Sequence, residues 1–474
     1  MINLKNLTIE KVHASLIAKE FSVRELVDAY LEQIKEKNQG SDTAINAYLS
    51  LYASTDTMVK NAQDMIDNGS ATIMTGIPIA IKDNMVVEGE FSSAGSAILK
   101  DFVGVADATV IKKLKSAGAV FIGRTNMDDG AMGSSTETSV YGITRNPLNT
   151  DYVPGGSSGG SASAIAMDGA LVALGTDTGG SIRQPAGYTG LVGFKPTYGE
   201  VSRSGIIAMA SSLDQVGPLA KNITDAEILF NTIRGHDVLD ATSFGEIKRD
   251  DRVIKKIGIP KNWIEQGGIE EGVKNNFIET IEKIKKAGYE IVDIDLPITQ
   301  YSLSVYYVIN TAEVSSNLAR YDGIRYGHHV DGATLEEVYK KTRGTGFGKE
   351  VRRRILLGAY ILSHGYYDAY YKKALDVQKA IRRELIAVFQ TVDIIMTPTA
   401  PFLPFKFGER MNDPIAMKLA DLFLAPANIA GNPALSIPSG DAHDGLKHSI
   451  HFLAPLYADD TLLSFGKNIE KAVE

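Results

Sequence analysis

The fold is decided by two glycine- and serine-rich runs, GGSSGG at residues 155–160 and GTDTGGS at residues 175–181. Between residues 155 and 205 the chain carries 13 of its 45 glycines. The apolar pattern between the two runs predicts a short helix at residues 161–168 and a buried strand at residues 170–174. Glycine lets backbone N–H groups converge on a small ligand, so these loops predict a functional site on an α/β fold.

The run at residues 155–160 has three interpretations. A flexible linker suits its composition, although apolar, structured sequence lies on both sides. A phosphate-binding loop is the second, although neither a following Gly-Lys-Ser/Thr nor a GxGxxG spacing is present. A nucleophile loop is the third, because the GxSxG pattern surrounds Ser157, although Val153-Pro154 precedes it instead of an apolar strand.

Ser181 is a second candidate nucleophile. It follows Gly179-Gly180 at the end of a predicted strand, where backbone N–H groups can form an oxyanion hole for acyl transfer. The base could be Lys82, which ends the apolar segment 76–81, because desolvation there would lower the pKa of its ammonium. Lys82 could instead extend from the strand end to solvent. The residues alone thus predict a serine hydrolase or transferase with an uncertain base.

The composition excludes several other chemistries. The 474-residue chain has no cysteine, which rules out thiol nucleophiles, thiolate zinc sites, iron–sulfur clusters and disulfides. All eight histidines lie outside residues 14–235, so the region with the glycine-rich runs lacks the commonest catalytic base. The net charge of −8 argues against a broad nucleic-acid-binding face on this chain.

The remaining sequence alternates helical and strand patterns without a linker or a repeat, which predicts one large α/β domain. Helical patterns occupy residues 7–67, 107–117, 272–287, 301–326 and 349–390. Apolar strand patterns occupy residues 76–81, 119–122, 254–259, 290–294 and 393–396. The first ten residues do not resemble a secretory signal, and no uncharged apolar run reaches the roughly 18–20 residues of a membrane span. We expect a cytoplasmic protein without membrane contact.

These motifs resemble the amidase signature family. The resemblance rests on GIPIAIKDN at residues 76–84, GGSSGGS at residues 155–161 and GTDTGGSIRQPA at residues 175–186. It extends over nearly the whole chain and implies a single domain with a central mixed β-sheet flanked by helices on both faces. We expect N-terminal helices at residues 1–67, the catalytic core at residues 76–235, and the rest of the sheet with the substrate-binding helices at residues 250–474, all in one domain of residues 1–474.

The resemblance also implies a Ser–cis-Ser–Lys triad. Ser181 would be the nucleophile, Ser157 the proton relay on a cis peptide bond after Gly156, and Lys82 the base. A serine hydroxyl must lose its proton as it attacks, and a second hydroxyl can both accept and donate that proton. The implied oxyanion hole consists of the backbone N–H groups of Thr178, Gly179, Gly180 and Ser181.

Within the family, the chain is similar to the A subunits of tRNA-dependent amidotransferases, which serve glutamyl-tRNA(Gln) or aspartyl-tRNA(Asn). The shared motifs are MGSSTETS at 132–139, KPTYG at 195–199, SSLDQ at 211–215, SSNLARYDG at 315–323 and the segment 346–358. The similarity implies that glutamine is hydrolysed through an acyl-enzyme and that ammonia passes to a partner. The implied assembly is a heterotrimer with B and C subunits, in which the B subunit binds the charged tRNA. This chain would need no cofactor, because the partner uses ATP and Mg²⁺.

Three residues are then expected to bind glutamine. Arg354 would grip the α-carboxylate with its planar fork, Asp421 would pair with the α-ammonium, and Tyr306 would contribute a hydroxyl contact. Each has a simpler interpretation. Arg354 could lie on a solvated helix face, Asp421 could be a helix-surface residue or a buried, paired charge, and Tyr306 could belong to the core.

The sequence departs from the A-subunit pattern at three places. Asp129-Gly130 stands where Glu-Phe is usual, His451-Phe452-Leu453-Ala454 replaces a segment that usually begins with glutamine, and Leu424 replaces a threonine. None affects the triad residues. A stand-alone amidase acting on small or acyl amides is therefore the alternative, and a non-catalytic scaffold is a third possibility against which the complete triad argues.

Overall fold

The computed structural model describes residues 2–265, 268–411 and 413–473. In that part of the chain, no helix is both long and apolar enough to cross a membrane. The strands are β1 (Tyr48–Leu51), β2 (Pro78–Lys82), β3 (Val120–Thr125), β4 (Val172–Asp177), β5 (Val192–Lys195), β6 (Gln215–Ala220), β7 (Lys256–Pro260), β8 (Glu290–Ile294), β9 (Ile394–Pro398), β10 (Ala434–Asp441) and β11 (Lys447–Leu453). The helices are α1 (Ile9–Ile17), α2 (Val23–Lys37), α3 (Thr55–Asp67), α4 (Thr109–Ser116), α5 (Gly159–Ala166), α6 (Arg183–Tyr188), α7 (Ile223–Ile233), α8 (Lys261–Glu265), α9 (Glu271–Lys286), α10 (Ser302–Asn317), α11 (Leu335–Gly346), α12 (Lys349–Leu362), α13 (Lys373–Val388), α14 (Pro414–Leu419), α15 (Ala425–Ala430) and α16 (Asp459–Val473).

All of these strands join one eleven-stranded sheet in the order β1-β3-β2-β4-β6-β5-β10-β11-β9-β7-β8. Strand β2 is parallel to β3 and β4, and β7 is parallel to β8 and β9, whereas the pairs between these two groups are antiparallel. The expected mixed sheet in a single helix-flanked domain is thus confirmed.

The pairing of β2 with β4 brings the carboxyl ends of the two strands, which carry the candidate site residues, next to each other. All five positions of β2 are buried, as are all six of β4, which is why both strands consist mainly of small and branched apolar residues. The two strands are parallel, with Ile81 opposite Leu174. Because the carboxyl ends of parallel strands meet at one edge of a sheet, Lys82 at the end of β2 lies beside the loop that follows Asp177 of β4.

The first glycine-rich run lies inside the protein. Every residue from 155 to 160 is buried, and α5 begins within the run. A side chain at Gly160 would collide with the backbone of Asn126, and one at Gly159 with Thr136. The linker interpretation of this run is therefore wrong. Residues 153–156 form no strand, so the strand–turn–helix elbow of the GxSxG interpretation is absent as well.

The predicted helices needed three corrections. Residues 7–67 contain β1, which pairs with β3, in addition to three helices. The helix predicted for residues 301–326 ends at Asn317. The helix predicted for residues 349–390 is two helices, α12 and α13, because Ser363 is extended and Gly365 has a φ of 87°.

Four strands in the middle of the sheet were not predicted, because their sequences show no clear apolar strand pattern. These strands are β5, β6, β10 and β11, and the first three include glycine or proline, which are unfavourable in strands on propensity alone. The tertiary structure explains one of them. A side chain at Gly217 of β6 would collide with the backbone of Phe194 in β5, so the neighbouring strand requires glycine there.

Helix α12 lies against α10 at a contact that excludes any side chain. A Cβ atom at Gly358 would overlap the carbonyl group of Thr311 and lie 2.7 Å from the Cβ of Ser315. Close packing of this kind fixes the separation of the two helices. The contact therefore sets the position of Arg354, which lies one turn earlier on α12.

We predict that Gly358→Ala lowers the free energy of unfolding by about 1–3 kcal/mol, because the added methyl group must push α12 away from α10. The matched control is Gly344→Ala in α11, where a Cβ meets nothing within 4 Å and should be neutral or stabilising. Urea denaturation followed by circular dichroism measures both. Equal stability of Gly358→Ala and Gly344→Ala would contradict the close approach.

Candidate active site

The Lys82 ammonium group is enclosed by neutral oxygens. Its Nζ atom lies 2.9 Å from Ser157 Oγ, 2.7 Å from Ser158 Oγ and 2.9 Å from Thr176 Oγ1. The residue is fully buried. The interpretation in which Lys82 extends to solvent is therefore wrong. Sequence reasoning did not identify Ser158 and Thr176, although both lie within the two glycine-rich runs.

Burial lowers the pKa of Lys82 to about 7, although the nearby carboxylates Asp128, Asp177 and Asp214 act in the opposite direction. Taking an ammonium ion out of water disfavours its charged form, and none of its hydrogen-bond partners carries a compensating charge. A neutral amine has two N–H donors and one lone pair. Its donors can then serve Ser158 and Thr176 while the lone pair accepts the hydroxyl proton of Ser157.

Ser157 is held by its backbone. The Gly156–Ser157 peptide bond is cis. The N–H of Gly156 donates to Gln184 Oε1 at 2.8 Å, and a side chain at Gly156 would collide with the carboxylate of Asp128. Asp128 itself accepts from the Thr136 N–H at 2.9 Å. Glycine at 156 therefore permits the close packing that directs Ser157 towards Lys82.

Ser181 lies next to this pair in space. The backbone N–H of Ser158 donates to the carbonyl oxygen of Ser181 at 3.2 Å, which joins the two glycine-rich runs. Ser181 is half-buried, whereas Ser157 is fully buried. Among the described residues, the structure gives the Ser181 hydroxyl no hydrogen-bond partner. This hydroxyl is thus the more accessible of the two and is free to meet a ligand.

The loop before Ser181 corrects one expectation. Gly180 was expected to offer its N–H to an oxyanion, but this N–H donates to Asp177 Oδ1 at 2.9 Å. Within the described chain, the N–H groups of Gly179 and Ser181 have no acceptor. Gly180 has a φ of 141°, and a side chain there would lie 2.6 Å from Leu424 Cδ1. The hydrogen bond of the Gly180 N–H thus fixes the loop, and the N–H groups of Gly179 and Ser181 stay available to bind a ligand.

Asp177 and Arg183 form a buried ion pair beneath this loop. Arg183 Nη2 lies 2.9 Å from Asp177 Oδ1, and its Nε lies 2.9 Å from Oδ2, with both side chains fully buried. Burial alone would raise the pKa of Asp177, but the charge and hydrogen bonds of Arg183 hold this pKa well below its usual range. Sequence reasoning did not assign these residues a role, although both stand inside the motif that carried the resemblance.

Thr178 has a second buried acid as its partner. Its hydroxyl donates to Asp214 Oδ1 at 2.7 Å, and the backbone N–H of Met209 donates to Oδ2 at 2.9 Å. Burial raises the pKa of Asp214 to about 6, although these hydrogen bonds oppose the rise. The side chain of Thr178 therefore fixes the start of the loop.

Arg354 projects inward from α12. It is only 6% exposed, so the solvated-face interpretation is wrong. Its Nε donates to Glu350 Oε1 at 2.7 Å, its Nη1 donates to Asn310 Oδ1 at 3.1 Å, and its guanidinium lies over the ring of Tyr307. Arg354 also interacts with the hydroxyl of Tyr306, so both candidate substrate contacts lie together. Tyr307, which the sequence did not predict as a site residue, thus stacks against the guanidinium of Arg354.

Asp421 is a buried acid close to the same loop. Ser134 Oγ donates to its Oδ2 at 3.2 Å, and a Cβ at Gly180 would lie 3.3 Å from its Oδ1. Burial raises the pKa of Asp421 to about 7. The surface interpretation is therefore wrong. Tyr306 is buried too, and a Cβ at Gly179 would lie 2.6 Å from its Cζ, so its ring covers the loop directly.

A cavity of about 420 Å³ lies beside Arg354. The basic side chains that line it are Lys349, Arg353, Arg354, Arg410 and Lys418, and the acidic ones are Asp129, Glu137 and Glu350. The cavity reaches Ser134, the partner of Asp421, but Lys82, Ser157 and Ser181 do not line it. Basic side chains therefore outnumber acidic ones around this cavity by five to three. In the described residues, no cluster of three or more His, Asp or Glu side chains is arranged to hold a metal ion.

The departures from the A-subunit pattern lie around this site. Asp129 is a cavity residue whose Oδ2 accepts from the Gly348 N–H at 2.8 Å. His451 Nε2 lies 2.9 Å from Arg183 Nη1. The carbonyl oxygen of Leu424 accepts from the same guanidinium at 3.1 Å. Two of the three departures thus contact the buried ion pair.

The chain is similar to known proteins over nearly its whole length. The Amidase family model matches residues 25–463. The A subunit of the glutamyl-tRNA(Gln) amidotransferase of Thermoanaerobacter pseudethanolicus is 46% identical over 99% of this chain and 97% of its own length. The protein of the same name from Caldanaerobacter subterraneus is 45% identical over 99% and 97%. The crystal structure of the A subunit of the glutamyl-tRNA(Gln) amidotransferase from Thermotoga maritima superposes with a TM-score of 0.80 at 39% identity, covering 99% of this chain and 96% of that one.

We predict that the rate at which phenylmethanesulfonyl fluoride modifies Ser181 rises with pH through about 7, where Lys82 loses its proton. The oxygen–sulfur bond forms as fluoride leaves, and the serine proton passes through Ser157 to the neutral Lys82 amine. Peptide mass spectrometry at a series of pH values measures the rate. The step should disappear in Lys82→Ala. A wild-type profile without a step between pH 6 and 8 would contradict this assignment.

Proposed function

The chain belongs to the amidase family, and from that premise we propose that it hydrolyses glutamine to glutamate and ammonia as the A subunit of a tRNA-dependent amidotransferase. One observation carries the substrate assignment. A buried acid, Asp421, lies against Gly180 of the loop that ends in Ser181, and a buried cation, Arg354, is near enough for its charge to lower the pKa of Asp421. A free amino acid carries both opposite charges, and a buried charge is costly unless it is paired.

Glutamine would enter through the cavity beside Arg354. The guanidinium of Arg354 would bind the α-carboxylate, and Asp421 would bind the α-ammonium. A nearby cation favours the ionised form of a buried acid, so the substrate would itself keep Asp421 charged. Tyr306 would contact the substrate from its position over Gly179. The side-chain amide would then point towards Ser181.

Acylation would begin at the half-buried hydroxyl. Ser181 Oγ attacks the side-chain amide carbon while its proton passes to Ser157, and the proton of Ser157 passes to the neutral Lys82 amine. Lys82 and Ser157 lie within hydrogen-bond distance, at 2.9 Å, so this second transfer needs no rearrangement. The N–H groups of Gly179 and Ser181 would hold the oxyanion, each worth roughly 3 kcal/mol.

Collapse of the tetrahedral intermediate would reverse the proton path. The Lys82 ammonium returns a proton through Ser157 to the leaving nitrogen, so ammonia departs and a γ-glutamyl ester stays on Ser181. Water then attacks the ester along the same route, giving glutamate and the free serine. Each proton taken up by Lys82 is returned within a half-reaction, so the chain needs no cofactor of its own.

The released ammonia would serve a partner. We propose a heterotrimer with B and C subunits in the cytoplasm, in which the B subunit binds the charged tRNA and uses ATP and Mg²⁺ to amidate it. The names of the relatives support glutamyl-tRNA(Gln) as the acceptor, and aspartyl-tRNA(Asn) is a second acceptor of the same chemistry.

We predict that Ser181→Ala lowers the kcat of glutamine hydrolysis at least about 10³-fold, because no other hydroxyl can replace the nucleophile. Glutamate release by the purified chain, alone and with its B and C subunits, measures this rate. The control is Ser163→Ala, a buried serine of α5 whose hydroxyl donates to the Arg145 carbonyl, away from the site. Near-wild-type hydrolysis by Ser181→Ala would remove Ser181 from the mechanism.

We also predict that Arg354→Lys raises the KM for glutamine about tenfold or more, because lysine keeps the charge but loses the planar fork. The matched control is Arg352→Lys, since Arg352 lies two residues earlier on the same helix but is exposed. Initial rates over a range of glutamine concentrations give both KM values. An unchanged KM in Arg354→Lys would favour the stand-alone amidase, which has no α-carboxylate to bind.

A further inference from the structure

His451 is a buried histidine held rigidly between two strands. It lies in β11 opposite Thr397 of β9 and Ser436 of β10. The residue is only 1% exposed. Its two ring nitrogens have different partners, Arg183 Nη1 at 2.9 Å from Nε2 and Thr397 Oγ1 at 3.3 Å from Nδ1. The ring therefore cannot touch a substrate, and its influence must pass through Arg183.

The guanidinium of Arg183 has five N–H groups, and each has an acceptor. Two acceptors are the carboxylate oxygens of Asp177, and the others are Asn428 Oδ1, the Leu424 carbonyl and His451 Nε2. A guanidinium only donates, so Nε2 of His451 must accept and its proton must lie on Nδ1. Burial, together with the charge of Arg183, lowers the pKa of His451 well below its usual value, which keeps the ring in this neutral form.

The same guanidinium connects His451 to the loop before Ser181. Asp177 binds Arg183 through both oxygens and also accepts from the Gly180 N–H at 2.9 Å. This hydrogen bond turns the Gly180 N–H towards Asp177 and leaves the N–H groups on either side free. The path from His451 to the loop thus has three contacts, all between buried groups.

We propose that His451 is a positioning residue, which orients the Arg183 guanidinium so that Asp177 holds the loop of Gly179 and Ser181 in the geometry that binds an oxyanion. The inference rests on the proposed function only in assigning an oxyanion to this loop. Without the acceptor at Nε2, one N–H of Arg183 would be buried and unpaired, and the guanidinium would tilt to find another partner. Asp177 would shift as well, because both of its oxygens bind Arg183, and its contact with Asn428 Nδ2 at 2.9 Å would shift too, since Asn428 also accepts from Arg183.

The test compares three variants in the full chain. His451→Leu removes the acceptor at similar volume, and His451→Gln restores one through its amide oxygen. The matched control is His448→Leu, a half-buried residue of the same strand whose imidazole lies near α9 instead of Arg183. Each variant is assayed for the kcat and KM of glutamine hydrolysis and for the rate at which phenylmethanesulfonyl fluoride modifies Ser181. Thermal unfolding confirms that each variant is folded.

We expect His451→Leu to lower kcat and the modification rate about tenfold or more, because small misplacement of reacting groups costs up to about 10²-fold. The KM should change less than about threefold, because Arg354 and Asp421 are untouched. His451→Gln should recover most of the loss, and His448→Leu should match the wild type. Rescue by glutamine separates an acceptor role from simple filling of space.

Two results would overturn the proposal. One is a His451→Leu variant that is modified at the wild-type rate, and the other is a His451→Gln variant as impaired as His451→Leu. A wild type that is modified at Ser181 but does not hydrolyse glutamine contradicts the proposed function alone, because the modification rates still test His451. A wild type that shows neither reaction contradicts both proposals.

Discussion

The site depends on keeping one amine out of water among neutral oxygens. Lys82 is fully buried at the end of β2, and its hydrogen-bond partners are hydroxyl groups. Desolvation brings its pKa to about 7. Three acids stand near enough to oppose this shift, yet none makes an ion pair with the amine. A direct carboxylate partner would hold the proton on the lysine and remove the base.

The need for neutral hydroxyl partners explains why small residues surround the amine of Lys82. The short side chain of Ser157 reaches Lys82 only because its backbone packs closely. Gly156, which precedes it, lies directly against Asp128. The opposite wall is fixed by a buried ion pair, Asp177 with Arg183, whose charges are satisfied by hydrogen bonds to the loop and to β11. The Lys82 amine is therefore desolvated and the loop is electrostatically anchored, and the two regions meet at the contact of Ser158 with Ser181.

The sequence predicted the parts of this structure that are local. The parallel strands β2 and β4 have continuous apolar patterns, and the triad candidates stand in motifs of recognisable spacing. The antiparallel strands β5, β6, β10 and β11 were missed, and for β6 the structure shows a reason, because Gly217 is required by the backbone of Phe194 in the neighbouring strand β5. The role of Gly180 was missed as well, since only the fold shows that its N–H faces Asp177. No local signal distinguishes the buried Arg354 of α12 from the exposed Arg352 and the half-buried Arg353, and none marks Tyr307 of α10 as its partner.

The identity of the nucleophile is the claim on which the others rest. The most direct measurement is to stop glutamine turnover with acid and to locate the γ-glutamyl ester by peptide mass spectrometry. We predict an ester on Ser181 and none on Ser157, because the accessible hydroxyl attacks and the buried one transfers the proton. An ester on Ser157, or hydrolysis of glutamine without an ester on either serine, would contradict this account.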